Sequence, residues 1–102
     1  MPRTAILYAR SGRRKNLDEQ VRELEEWCDR AGVVPVSTVV EVAIGLRASR
    51  RCRQVLADVA AGLADLVVIR DVSRLSEDVA QLEQIISEHW SRLAISRDDR
   101  HW

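Results

Sequence analysis

Arg10 and Ser11 place a guanidinium and a hydroxyl side by side in the chain. Further cations gather at Arg13, Arg14 and Lys15, at Arg47, Arg50, Arg51 and Arg53, and at Arg70 and Arg74. A serine oxygen among arginines suits phosphoryl transfer. The oxygen attacks phosphorus, and the guanidinium groups hold the charge that develops on the equatorial oxygens. Fifteen of the sixteen cations are Arg, whose planar fork matches phosphate oxygens where Lys offers a point charge. A GC-rich genome would explain that ratio, but not the clustering. Ser11, Arg10, Arg50 and Arg74 form the candidate catalytic set, provided that the fold brings them together.

Other chemistries find less support. The chain has neither a GxxxxGKS nor a GxGxxG segment, so no nucleotide cradle is expected. Cys28 falls at a core position, and Cys52 sits between arginines that would lower its pKa, or is simply partly buried. There is no CxxC, and His89 and His101 are too far apart in sequence to read as a ligand pair. The expectation is no metal and no cofactor. Trp27 and Trp90 read as packing residues rather than base-stacking platforms.

The elements that must position these residues alternate. Residues 4–9 (TAILYA) form a short apolar run of strand formers. Asn16 with Glu19 three residues on predicts a capped helix start, continued by Val21, Leu24, Trp27, Cys28 and Ala31 at helical spacing and stopped at Gly32. Residues 33–42 are β-branched and predict a second strand with Pro35 near its start. A loop around Gly45 follows. Ser49 predicts the cap of a second helix, with Val55, Leu56, Val59 and Ala60 as its buried face and Gly62 at its end. Residues 64–70 carry a continuous apolar centre, as in a strand covered on both faces. A third helix is expected from Arg74 or Ser76 to Trp90, with Val79, Leu82, Ile85 and Ile86 on its apolar face. Residues 92–96 predict a fourth strand, and the polar tail 97–102 is expected to fray.

The order β-α-β-α-β-α-β gives an α/β fold of three layers around a mainly parallel four-stranded sheet with right-handed crossovers. Function in such sheets gathers at the carboxyl ends of the strands, where the arginine clusters fall. The 102 residues suit one domain. The chain lacks Phe, so its core must be aliphatic. No apolar run reaches the roughly 20 residues that span a bilayer, and the expected location is the cytoplasm. Sixteen cations balance sixteen acids, which excludes a uniformly basic nucleic-acid coat.

The segment AILYARSGRRKNLDEQ resembles the opening of serine recombinase catalytic domains, the resolvases and invertases. Tyr8, Ala9, Arg10, Leu17 and Gln20 carry that likeness. The loop with Gly45 and Arg50 is similar to the family's Gly-centred loop, and DLVVIRDVSRLSED to its strand ending in Leu-Asp-Arg-Leu-x-Arg-Asp, through Arg74, Leu75 and Asp78. The likeness spans about residues 4–96. It implies a resolvase-like catalytic fold, with DNA cleaved by a serine that forms a transient 5′-phosphoserine link and frees a 3′-hydroxyl, without metal or nucleotide. Arg10, Arg50 and Arg74 match three of the arginines that serve that step.

Four departures accompany the likeness. The family's serine falls two residues after its arginine, where this chain has Gly12. The turn is one residue shorter, which brings Ser11 into the nucleophile's column. Ser73 replaces the acid of the Asp-Arg pair, and Glu77 stands where the family carries another arginine. The chain is also expected to lack the long dimerisation helix and DNA-binding domain that the family normally adds. The expected function is a degenerate recombinase domain with weak or no catalysis, acting as a binding or regulatory module. Its expected partners are DNA, bound weakly by this chain alone, and an intact recombinase, another protein or a second copy. The alternative is an active minimal serine recombinase that uses Ser11. Glu77 is expected to lie beside the three arginines and to pair with one.

Overall fold

The computed structural model describes residues 1–97. Four strands form one sheet in the order β2-β1-β3-β4: β1 (Thr4–Ser11), β2 (Val34–Val42), β3 (Leu66–Ile69) and β4 (Leu93–Ile95). Every pairing is parallel, so the sheet is more regular than the mainly parallel one expected. Three helices cross over between them: α1 (Leu17–Ala31), α2 (Arg50–Ala60) and α3 (Val79–His89).

The strands alternate as the pleat requires. Ala5, Leu7 and Ala9 of β1 face α1, with Leu24, Trp27 and Cys28 packed on them. Ile6 and Tyr8 face the other way, into a second core with Cys52, Val55, Leu56 and Val59 of α2 and Ile85 of α3. β3 lies between β1 and β4 and is buried at all of its positions, as its unbroken apolar run requires. The chain steps one way from β1 to β2, then back past β1 to β3 and on to β4. The covering helix changes face at the same point, so the three crossovers share one hand.

Local signals explain most boundaries. Gly32 ends α1 with a positive φ of 71°, a conformation that favours glycine. Ser49 caps α2 by accepting the Cys52 N–H at 3.0 Å. β2 is an edge strand, which tolerates Pro35 near its start, and its register shifts between Ala5 and Ile6.

Three expectations change. Asn16 does not cap α1: it has helical backbone and ends a short 3-10 turn (Arg14–Asn16), with its N–H bonded to the Arg13 carbonyl at 3.2 Å. The turn has already bent the chain, so the amide side chain has no open helix end to serve. α3 begins later than Arg74 or Ser76. Residues Val72–Arg74 form a separate 3-10 turn capped by Asp71, and Asp78 caps α3 through the Gln81 N–H at 2.9 Å. Val79, placed on the apolar face by periodicity, is 71% exposed, because α3 turns Leu82 and Ile85 to the core and Val79 outward. Apart from Arg97, the expected tail lies outside the described residues.

No helix among the described residues is long and apolar enough to cross a membrane.

The α1 face supplies a stability test. Leu24 is fully buried between α1 and the sheet. Leu24→Ala is expected to lower the unfolding free energy by about 3 kcal/mol through lost burial and the cavity left behind. Urea unfolding followed by far-ultraviolet circular dichroism reads this directly.

Candidate active site

The sheet switches direction between β1 and β3, and a cleft opens at the carboxyl ends of these two strands. It holds about 220 Å³ and is lined by Arg10, Ser11 and Gly12 after β1, by Ala43, Ile44 and Gly45 from the loop after β2, and by Ser73, Arg74 and Glu77 after β3. That volume is several times the roughly 30 Å³ share of one water molecule.

Arg10 is buried, at 6% exposure, and its guanidinium reaches the loop. Nη2 donates to the Gly45 carbonyl at 3.2 Å and Nη1 to the Arg47 carbonyl at 3.4 Å. Both bonds are long for their type. The backbone of Arg10 is held more closely. Gln20, fully buried on α1, accepts the Arg10 N–H through Oε1 at 3.0 Å and donates Nε2 to the Arg10 carbonyl at 3.1 Å. Arg74 Nη1 donates to the same carbonyl at 3.0 Å. The motif marks Gln20 without giving it this role. A polar side chain among Leu17, Leu24 and Trp27 on a buried helix face is the signal that marks it as a clamp.

Ser11 is the last residue of β1, paired with Val42, so it belongs to the strand and not to the turn. The pleat turns it to the opposite side from Arg10, yet both line the cleft where the strand ends. Its Oγ accepts the Arg13 N–H at 3.1 Å, and the residue is 8% exposed.

Arg74 pairs with Asp71, Nε to Oδ2 at 3.5 Å. The acid missing at Ser73 is thus met by a carboxylate two residues earlier, which the alignment of motifs did not reveal. Ser73 also bonds Asp71 through its hydroxyl and lines the cleft. Arg50 does not line the cleft. It precedes the buried Cys52 by two positions, which is about 200° around a helix, and it faces solvent. Glu77 lines the cleft, but no ion pair forms on its carboxylate among the described residues. Its backbone N–H donates to the Leu46 carbonyl at 2.6 Å.

A second polar group lies behind the cleft. Glu41 stands opposite Arg10 on β2, and its Oε1 accepts from the Tyr8 hydroxyl and from Ser49 Oγ, each at 2.6 Å. Burial pushes the Glu41 carboxyl upward. The Ser49 and Tyr8 hydrogen bonds and the charges of Arg10 and Arg51 outweigh that push, so its pKa lies below the ordinary 4.5. Burial and the bond to Glu41 push the Tyr8 hydroxyl well above its ordinary range. Cys52 is buried, and desolvation drives its thiol up to about 11 even though Arg10 favours the thiolate. The neighbouring arginines therefore do not activate it. Cys28 is also buried at about 11, as its core position implies. No cluster of His, Cys, Asp or Glu among the described residues could hold a metal ion.

Because the folded pKa of Glu41 is depressed, its stabilisation is complete above pH 4.5 and is lost as pH falls through the lower folded value. Glu41→Gln is expected to flatten that acid limb of the stability curve. Thermal unfolding of both proteins from neutral pH down through the carboxylate range provides the comparison.

The comparisons with known proteins bear on the fold and the family. The family model described as "Resolvase, N terminal domain" matches residues 5–95. The C-terminal catalytic domain of ISC1926 TnpA, an IS607-like serine recombinase, superposes with a TM-score of 0.74 at 21% identity, over 93% of this chain and 70% of that one. At that identity the likeness shows the fold. The C-terminal catalytic domain of IS1535 TnpA, also an IS607-like serine recombinase, gives 0.70 at 31% identity, over 92% and 71%. No curated protein matches the chain. On the match to its own residues 5–95, this chain belongs to the family of resolvase N-terminal domains, the catalytic domains of serine recombinases.

Proposed function

We propose that this domain receives a DNA phosphate in the cleft between β1 and β3 but cleaves weakly or not at all, and that it serves as a binding or regulatory unit beside an intact recombinase. The observation that carries this reading is Glu77, an acidic residue that lines the same cleft as Ser11, Arg10 and Arg74 and whose carboxylate forms no ion pair among the described residues. In the reaction that the family implies, Ser11 Oγ would form a bond to phosphorus. The bond to the 3′-oxygen would break, and that oxygen would leave as a hydroxyl carrying the proton lost by the serine. Charge builds on the phosphoryl oxygens during the exchange. Losing one donor at such a site costs about 3 kcal/mol, a hundredfold or more in rate, and a carboxylate adds repulsion. Arg50, on the solvent side of α2, supplies no charge to the cleft in this arrangement. The zero net charge supports weak DNA affinity for the chain alone.

A second reading has its own support. Ser11 shares the cleft with two guanidinium-bearing residues, and Asp71 supplies the acid that Ser73 lacks. That arrangement favours an active minimal recombinase with Ser11 as nucleophile.

One experiment separates the two. The protein, alone and with an intact recombinase, is incubated with supercoiled plasmid carrying the DNA that flanks its own coding region. Covalent protein–DNA species are then resolved on a denaturing gel. The expected result is no Ser11-dependent adduct, with Glu77→Arg tightening duplex binding by about tenfold as a repulsive charge becomes a phosphate contact. An adduct formed by the unaltered protein and abolished by Ser11→Ala establishes the active reading instead.

A further inference from the structure

The geometry points to Gln81 as the positioning residue that holds Arg10 away from phosphate by latching loop 43–49 onto the start of α3. This rests on the reading that the cleft takes a DNA phosphate. Successive peptides of the loop face opposite ways. The Gly45 and Arg47 carbonyls meet the Arg10 guanidinium. The Leu46 carbonyl between them turns to α3, where it accepts the N–H groups of Glu77 at 2.6 Å and Asp78 at 3.2 Å. Gln81 closes the latch. Its Oε1 accepts the Ala48 N–H at 2.7 Å and lies 2.8 Å from Ser76 Oγ. Ser76 is fully buried and has one hydroxyl proton, for which Gln81 Oε1 is the nearest acceptor. Arg47 adds an outer strap to Asp78 at 3.2 Å.

The two ends of this arrangement differ in strength. Ala48 is buried, so losing its acceptor would strand a backbone donor away from water. The Arg10 contacts, at 3.2 and 3.4 Å, are the weak end. A phosphate oxygen is the stronger acceptor for a guanidinium, but while the loop keeps its place on α3 the Gly45 and Arg47 carbonyls stay against Arg10 and compete for it. Gln81 is not among the residues that line the cleft and acts through the loop.

The test uses the whole chain and a short fluorescein-labelled DNA duplex, titrated by anisotropy over a range of salt concentrations. Gln81→Ala changes no charge. It is expected to tighten binding about fivefold and to steepen the salt slope by about 0.9, the signature of one added phosphate contact. Both gains should vanish in the double variant with Arg10→Gln. In the unaltered protein, adding duplex should speed hydrogen exchange at the Ala48 and Glu77 amides, and this reading decides the matter if Gln81→Ala does not fold. Unchanged affinity and slope in Gln81→Ala, or a gain that survives Arg10→Gln, overturns the latch. So does unaltered amide exchange where the variant fails to fold. Arg74→Gln separates the two levels. If it weakens binding while the latch tests fail, only the latch falls. If neither Arg74→Gln nor Arg10→Gln affects binding, the phosphate reading falls and the latch with it.

Discussion

The peptide groups of Arg10 are the point on which the site depends. β1 is a central strand, and near its carboxyl end the ladder no longer satisfies both polar groups of this residue. The buried Gln20 amide takes over, accepting from the N–H and donating to the carbonyl. The same carbonyl accepts from Arg74. A side chain from α1 and a side chain from beyond β3 thus converge on one backbone unit, and the cleft forms around it. Because a buried amide with both ends satisfied is costly to displace, the strand end is rigid.

Behind the cleft, Glu41 joins elements distant in sequence. Its carboxylate accepts from Tyr8 on β1 and from Ser49, the residue that caps α2. It also stands opposite Arg10 across the β1–β2 pairing. The charge near the cleft is therefore balanced from two sides. Glu41 sits beneath Arg10, and Asp71 sits beside Arg74. Glu77 lines the cleft without an ion pair on its carboxylate among the described residues.

Much of the fold was legible in the sequence because the relevant forces are local and periodic. β-branched runs, apolar residues at helical spacing, Gly32 and Ser49 defined the strands, the helices and several of their ends. Boundaries set by competition between neighbours were not legible. Ser76 and Asp78 both suit a helix cap, but Ser76 is buried against Gln81, leaving Asp78 to start α3. Asn16 could not cap a helix that a 3-10 turn had already begun. Of the four candidate site residues, Arg10, Ser11 and Arg74 come to one cleft. Arg50 does not, because a helix turns its residues by about 100° each, and two steps separate it from the buried Cys52. The Asp71–Arg74 pair was not legible because the motif carries its acid at the position of Ser73, and the pairing with Asp71 is set by the 3-10 turn between them.

Edge strand β2 carries exposed valines at positions 34, 36, 40 and 42, a composition that invites another chain to add a strand. The strand resists this in three ways. Pro35 has no N–H to offer, the register shift beside Ala5 and Ile6 breaks the straight run of the edge, and Arg51 occupies the Val40 carbonyl. The opposite border, β4, is only three residues long. The described edges of the sheet are therefore poor templates for its own extension.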